Sequence, residues 1–430
     1  MTLAVFVSLM GCGSTDAGTG DETVEPESGS RVAVVLRFAE STGTAVALLD
    51  DLEADQEIDL ASALLIPGNG DAFGSPVEPD VIFTWSGDAP RLTRYRVGAD
   101  GSFTSEGTLA LDGLLLGTPN SFWHRDFMVV SRDKAYVLDG ISGALLSWNP
   151  STMTPGERLT LPPDVEIPGP ALGPVVGADR LVIDDRLVFT TGFTNSRADA
   201  ISSTSFIVFA NTADDELERL LAPDECGYLQ HGRLTAAGDF LFSSGVRTTG
   251  YEVASDGLVG GPSCILRVDG SDFSVERVAP PGALTEGRSA GGFIFVSDNS
   301  AFVRVLEDSA VPGGDPSRLS RLELTAGEFW RWGFIRDLQT REFEFVANSE
   351  RGLAAAQTMN LGDRVVAVVY FSDFSGSQVS ELRPDGTIVP GLFTSLDIRN
   401  VIPLDIPSAR RRARANATRK VTALNAVDAS

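Results

Sequence analysis

The sequence predicts an all-β fold, a seven-bladed β-propeller of four-stranded antiparallel blades, and three observations carry that prediction. The first is a single unit, Phe127–Leu161, in which turn residues split four short apolar runs: Phe127–Val130, Ala135–Leu138, Leu145–Trp148 and Arg158–Leu161. No run is long enough for a helix, and Arg132–Asp133 and Gly140–Gly143 supply tight turns, so the unit reads as an antiparallel meander. The second is periodicity. Aligned on the second strand of that unit, the strongest apolar runs begin at Val32, Val81, Ala135, Leu187, Phe240, Phe293 and Val365, with steps of 49, 54, 52, 53, 53 and 72 residues. A period of about 40–50 residues per four-strand unit marks a propeller, and seven registers give seven blades. The third is composition: 430 residues with 44 Gly and 23 Pro and no convincing helical period anywhere. A chain of this length can bury a large core, and radial repetition keeps it one domain.

The N-terminal stretch Met1–Cys12 is an apolar run too short to span a bilayer as a mature helix, and it is read as a secretion signal. Residues 13–30 follow as an acidic, flexible tether of small polar residues. Residues 31–407 hold the propeller. Blade one offers only three strands, Val32–Phe38, Ala45–Leu49 and Ile58–Leu65, while one extra apolar segment, Leu396–Ile406, follows the last blade's outer strand at Thr387–Phe393. That segment is expected to pair as the innermost strand of blade one, so that the C-terminal strand closes the ring and removes an exposed edge. Residues 408–430 form a basic, disordered tail.

Strand alternation sorts the connections onto two rims. Turns between strands one and two, and between three and four, are tight, as at Ala99–Gly101, Arg132–Asp133, Ala237–Gly238 and Pro384–Gly386. Connections between strands two and three, and the links between blades, are long: Phe193–Thr204, Gly245–Ser263, Asp298–Ser317, Pro67–Asp80, Pro162–Gly177 and Ala222–Gly232. Long loops in compact domains carry function, so the site is expected on this link rim.

Cys226 and Cys264 both fall on that rim, and a disulfide between them is expected in an oxidising compartment. It would close a loop of 39 residues and contribute about 3–4 kcal/mol on the chain-entropy account. Two buried free thiols are the other reading. No metal site is expected, because Cys226 and His231 lack the paired spacing that metal ligands show, and no cofactor motif is present.

Charge narrows the partners. The chain carries 34 basic against 59 acidic residues, a net charge of −25, and the tail Ser408–Ser430 holds six of the basic residues against Asp428. The body is therefore still more acidic, which excludes nucleic acid and anionic membrane surfaces as partners. Gly287-Arg288-Ser289-Ala290-Gly291 fits G-x-S-x-G, but a strand follows it where a nucleophile elbow needs a helix. The acidic run Asp50–Asp59 lacks the central Gly of a Ca²⁺ loop and reads as a solvated edge.

Leu9-Met10-Gly11-Cys12 resembles the lipobox of a bacterial lipoprotein signal, which implies lipidation at Cys12. The absence of Asp after Cys12 implies the outer membrane, with the protein held there by an N-terminal lipid alone and facing the periplasm or the cell surface. With the acidic tether, blades of about 52 residues and Cys226/Cys264, the chain is similar to divergent propeller lipoproteins found near siderophore genes in myxobacteria. That resemblance implies a setting in siderophore or iron uptake and names no catalytic residue.

Three function classes stand open: a binding or scaffolding lipoprotein of the cell envelope, with a small anionic or aromatic ligand or an envelope protein as partner; a lyase- or esterase-type enzyme at the channel mouth; and a structural envelope component. An enzyme would need a base, and the chain has two His. The candidate site follows from where the innermost strands begin on the link rim. There lie Trp123, His124, Arg125 and Asp126 in blade three, Asp179 and Arg180 in blade four, His231 and Arg233 in blade five, Arg288 in blade six and Gln357 in blade seven. Two readings of these arginines compete: each pairs with a neighbouring acid (Asp126, Asp179 or Glu286) and knits blades together, or they line an anion-accepting pocket with Trp123 as a stacking face. Strand alternation decides which side chains turn toward the axis.

Overall fold

The computed structural model describes residues 31–38, 43–54, 56–119, 122–160, 173–183, 185–194, 205–223, 226–254, 263–354, 356–361, 364–370 and 376–406. The apolar leader with Cys12, the tether and the tail Ser408–Ser430 lie outside them. Seven sheets of four antiparallel strands form the ring. Strands Asp397–Leu404, Arg31–Arg37, Thr44–Leu49 and Leu64–Ile66 build blade 1, in that order from the axis outward. The closing strand is the expected one: Val34 pairs with Val401 and Arg31 with Leu404, antiparallel. The fourth strand is shorter than Ile58–Leu65, because the Asp59 carboxylate captures Ala61 N and Ser62 Oγ in a local turn.

The core is divided among the junctions between blades. Val81, Phe83 and Trp85 of blade 2 pack on Phe127, Val137 and Trp148 of blade 3, and every other junction holds an equivalent cluster. Middle strands are therefore covered on both faces, so they read as continuous apolar runs such as VIFTW and AYVL rather than as alternation. Outer strands such as Phe103–Ala110 and Glu216–Leu221 are largely exposed.

Blade 6 departs from the expected register. Phe293 lies in its innermost strand, Ala290–Phe295, and the second strand is Ala301–Leu306. The long insertion consequently runs from 307 to 329, between strands two and three, and carries the helix Arg321–Ala326 with a Ser320/Glu323 capping box. The helix Val246–Val253 was equally invisible to periodicity: at eight residues it is too short to establish a pattern. It docks directly on blade 6, where a Cβ at Gly291 would stand 2.2 Å from Thr249 Oγ1. In blade 2 the innermost strand is Asp71–Gly74, inside what the sequence presented as a link. Among the described residues no helix is long and apolar enough to cross a membrane.

Candidate functional site

On the link rim, the chain reaches blade 3 through a 3-10 turn, His124–Asp126. Asp126 fixes the turn by accepting Trp123 N on Oδ2 at 2.8 Å, so Trp123, His124 and Arg125 project at three consecutive positions beside the axis. Blade 2 offers Asp71 at the start of its innermost strand. Asp71 Oδ2 accepts both the backbone N–H of His124 at 2.8 Å and its ring Nδ1 at 3.0 Å, while Oδ1 accepts Ala72 N. When the ring is neutral, this double grip puts its proton on Nδ1 and leaves Nε2 as an acceptor. Burial of Asp71 works against ionisation, but the charge and hydrogen bonds of His124 outweigh it and hold the carboxyl below its ordinary value. Burial dominates at Asp126, whose pKa is pushed up to about 6 despite Arg125, the Trp123 N–H and Arg180.

Two guanidiniums lie over the Trp123 ring: Arg125 at 5.3 Å from its centroid and Arg399, from the closing strand, at 4.2 Å. Arg399 keeps Asp397 at 3.9 Å. Among the described residues, the buried Nε of Arg125 finds no hydrogen-bond partner. Arg180 of blade 4 is a tie between blades, donating from Nη1 to His124 O at 3.0 Å and Phe127 O at 2.6 Å. Tyr370 of blade 7 donates to Ile398 O, and burial with the nearby Asp397 charge raises its phenol above the usual range.

A second polar cluster bridges the axis. Asp179 of blade 4 accepts Gly232 N on Oδ2 at 3.0 Å and Asn360 Nδ2 on Oδ1 at 2.8 Å. His231, 3% exposed, sits between Asp179 Oδ2 at 3.6 Å and Thr358 Oγ1 at 3.2 Å. Blades 4 and 7 are not neighbours in the ring, so these side chains meet across the central channel. Gly177 permits the approach of blades 4 and 5, since a Cβ there would stand 2.9 Å from Gln230 O.

Of the residues named from sequence, Trp123, His124, Arg125 and Arg180 come together at the mouth and His231 belongs to the axial cluster. Arg233 and Arg288 lie elsewhere. Arg233 is four residues along its strand from Leu229, about 13 Å at the usual rise per residue, which carries it to the tight-turn rim. There it pairs with Asp298 at 3.2 Å beside an open groove of about 610 Å³. Arg288 pairs with Glu286 at 2.6 Å and lies over Phe343 and Phe345 of the outer strand, away from the axis. Two mouth residues were missed. Asp71 stood in an apparent link, and Arg399 was legible only as part of the closing strand, where alternation with the inward-packed Ile398 would have turned it to the mouth. Among the described residues no group of three His, Cys, Asp or Glu could hold a metal ion. On the same rim Cys226 and Cys264 form the expected disulfide, with Cα atoms 5.6 Å apart.

No protein-family model matches this chain, and a search of curated proteins returned no match. Solved structures do resemble it. The periplasmic gluconolactonase PpgL of Pseudomonas aeruginosa is 12% identical with a TM-score of 0.50, covering 88% of this chain and 99% of its own. A Lactobacillus plantarum protein is 9% identical with a TM-score of 0.44, covering 88% and 96%, and apo AztD of Citrobacter koseri is 11% identical with a TM-score of 0.42, covering 87% and 98%. At these identities the likeness speaks to the propeller fold alone, and it rests on the first of the three.

Proposed function

We propose that this chain is an exported propeller of the cell envelope that binds a small aromatic anion at its link-rim mouth. The observation that carries the reading is the pair of guanidiniums, Arg125 and Arg399, gathered over one Trp123 ring, with Arg125 Nε buried and unpartnered. A planar guanidinium offers two parallel donors, which suits a carboxylate or a catecholate better than a halide. Asp179, His231, Thr358 and Asn360 tie blades 4, 5 and 7 together across the axis, which favours capture over passage. Export is supported by the Cys226–Cys264 disulfide. Anchoring through Cys12 and a role in siderophore or iron uptake rest on the resemblances of the leader and the blades.

Calorimetry with 2,3-dihydroxybenzoate, benzoate and neutral catechol tests the binding reading. The two anions should bind in the micromolar range, dihydroxybenzoate more tightly, and catechol at least about tenfold more weakly, a difference of about 1.4 kcal/mol. Equal affinity for catechol, or no binding at all, contradicts it. Anchoring has its own test: Cys12→Ser should move the protein from the membrane fraction to the soluble one.

A further inference from the structure

The mouth holds a group that anion binding does not use. His124 is 14% exposed, its Nδ1 is anchored on a carboxylate that is itself held ionised, and among the described residues nothing hydrogen-bonds Nε2. An imidazole fixed in this tautomer presents a lone pair at Nε2, the arrangement of a general base with its orienting carboxylate. Arg125 follows it directly in the chain, and Arg399 bears electrostatically on the same Asp71. Other charged groups around Asp71 and its neighbours are Asp126, Arg180 and Asp397, and none of them pairs with Nε2.

We infer that the mouth hydrolyses an aromatic ester or lactone that carries a free carboxylate, with His124 as the general base and Asp71 as its positioning residue; the inference rests on the anion-binding reading of the same site. The guanidiniums hold the carboxylate of the substrate and so place its ester carbonyl near His124. Water attacks the carbonyl carbon as Nε2 takes one of its protons, forming the new C–O bond. Collapse of the tetrahedral adduct breaks the bond to the leaving oxygen, which receives that proton from His124. The products are a carboxylic acid and an alcohol or phenol, and no oxidant, reductant or metal enters the balance.

The test uses the full chain with 3-acetoxybenzoate as substrate and its product 3-hydroxybenzoate as a ligand that cannot be hydrolysed. The wild type should release acetate, with His124→Gln lowering kcat at least about 100-fold while KM changes less than about threefold. Asp71→Asn should lower kcat by a smaller factor, also at nearly constant KM, and phenyl acetate, lacking the carboxylate, should be a poor substrate through KM. Melting curves establish that each variant is folded; His124→Ala serves as the second probe of the base, since it leaves the backbone bond to Asp71 in place. Binding of 3-hydroxybenzoate without hydrolysis, or hydrolysis unaltered in both His124 variants, overturns the inference and leaves the binding reading intact. Absence of 3-hydroxybenzoate binding overturns both. Phenyl acetate hydrolysed as well as 3-acetoxybenzoate overturns the substrate class.

Discussion

The tight-turn rim and the link rim are opposite ends of the same strands, yet they treat charge differently. On the tight-turn rim arginines meet carboxylates: Arg94 holds Glu78 at 2.9 Å and Glu106 at 2.7 Å, Arg96 holds Glu106 at 2.6 Å, Arg132 reaches Glu78 at 3.4 Å and Arg233 reaches Asp298. At the link-rim mouth, Arg125 and Arg399 face an aromatic ring, Arg180 faces backbone carbonyls, and Asp126 is driven toward its neutral form. Pairing of the first kind compensates each charge, within blade 2 for Arg94 and Arg96 and between blades for Arg132 and Arg233. The second kind leaves cations and a carboxyl poorly compensated, the condition in which a site answers to a ligand or a proton.

The largest expected effect would break the comparison by removing the ring that supports both rims. Deleting residues 396–430 takes away the strand Asp397–Leu404 and with it the buried Ile398, Val401, Ile402 and Leu404. It should prevent folding or lower Tm by more than about 15 °C, whereas deleting 408–430 should leave Tm within about 2 °C. Equal melting temperatures for the two truncations contradict closure by that strand.

Next in size is Glu78→Gln, which removes one of the two carboxylates that hold the nearly buried Arg94. Denaturant unfolding should show a loss of about 2 kcal/mol, less than when a buried charge loses its sole partner, because Glu106 still holds Arg94, with ligand affinity at the mouth unchanged. A loss of binding would show that the two rims are coupled.

Asp126→Asn sharpens the contrast through pH. The folded protein holds a proton on Asp126 up to about pH 6, whereas the unfolded chain releases it near the ordinary Asp value, about 3.9. Between those values the folded state binds more protons, so wild-type stability from this group falls as pH rises from about 4 to 6, by up to about 3 kcal/mol. The variant lacks that decline while keeping an oxygen to accept the Trp123 N–H. Parallel stability–pH curves for the two proteins contradict the burial argument.

The fold was readable because repetition amplifies weak local patterns: seven junctions bury seven similar runs, and the missing front strand of blade 1 matched the surplus strand after blade 7. Reading failed where local chemistry displaced the pattern. Gly291 and Gly292 yield their side-chain space to the helix Val246–Val253, so Phe293 to Phe295 carried the apolar weight of a second strand while lying in the first. The mouth was half legible. Trp123, His124 and Arg125 stand together in sequence, whereas Asp71 and Arg399 reach them only through ring closure and the blade 2–3 junction, contacts that no local spacing encodes. Arg233 shows the cost of misplacing a residue along its strand: four residues carry it from the link rim to an ion pair at the opposite one.

The most direct measurement of the account is dihydroxybenzoate affinity in the double variant Arg125→Gln, Arg399→Gln, compared with Arg233→Gln, Arg288→Gln and followed by melting curves. The mouth variant should lose at least about 100-fold in affinity, about 2.7 kcal/mol, with Tm within about 3 °C of the wild type, and the comparison variant should bind normally. Normal binding by the mouth variant, or loss of binding only in Arg233→Gln, Arg288→Gln, would contradict the assignment of the mouth as the site.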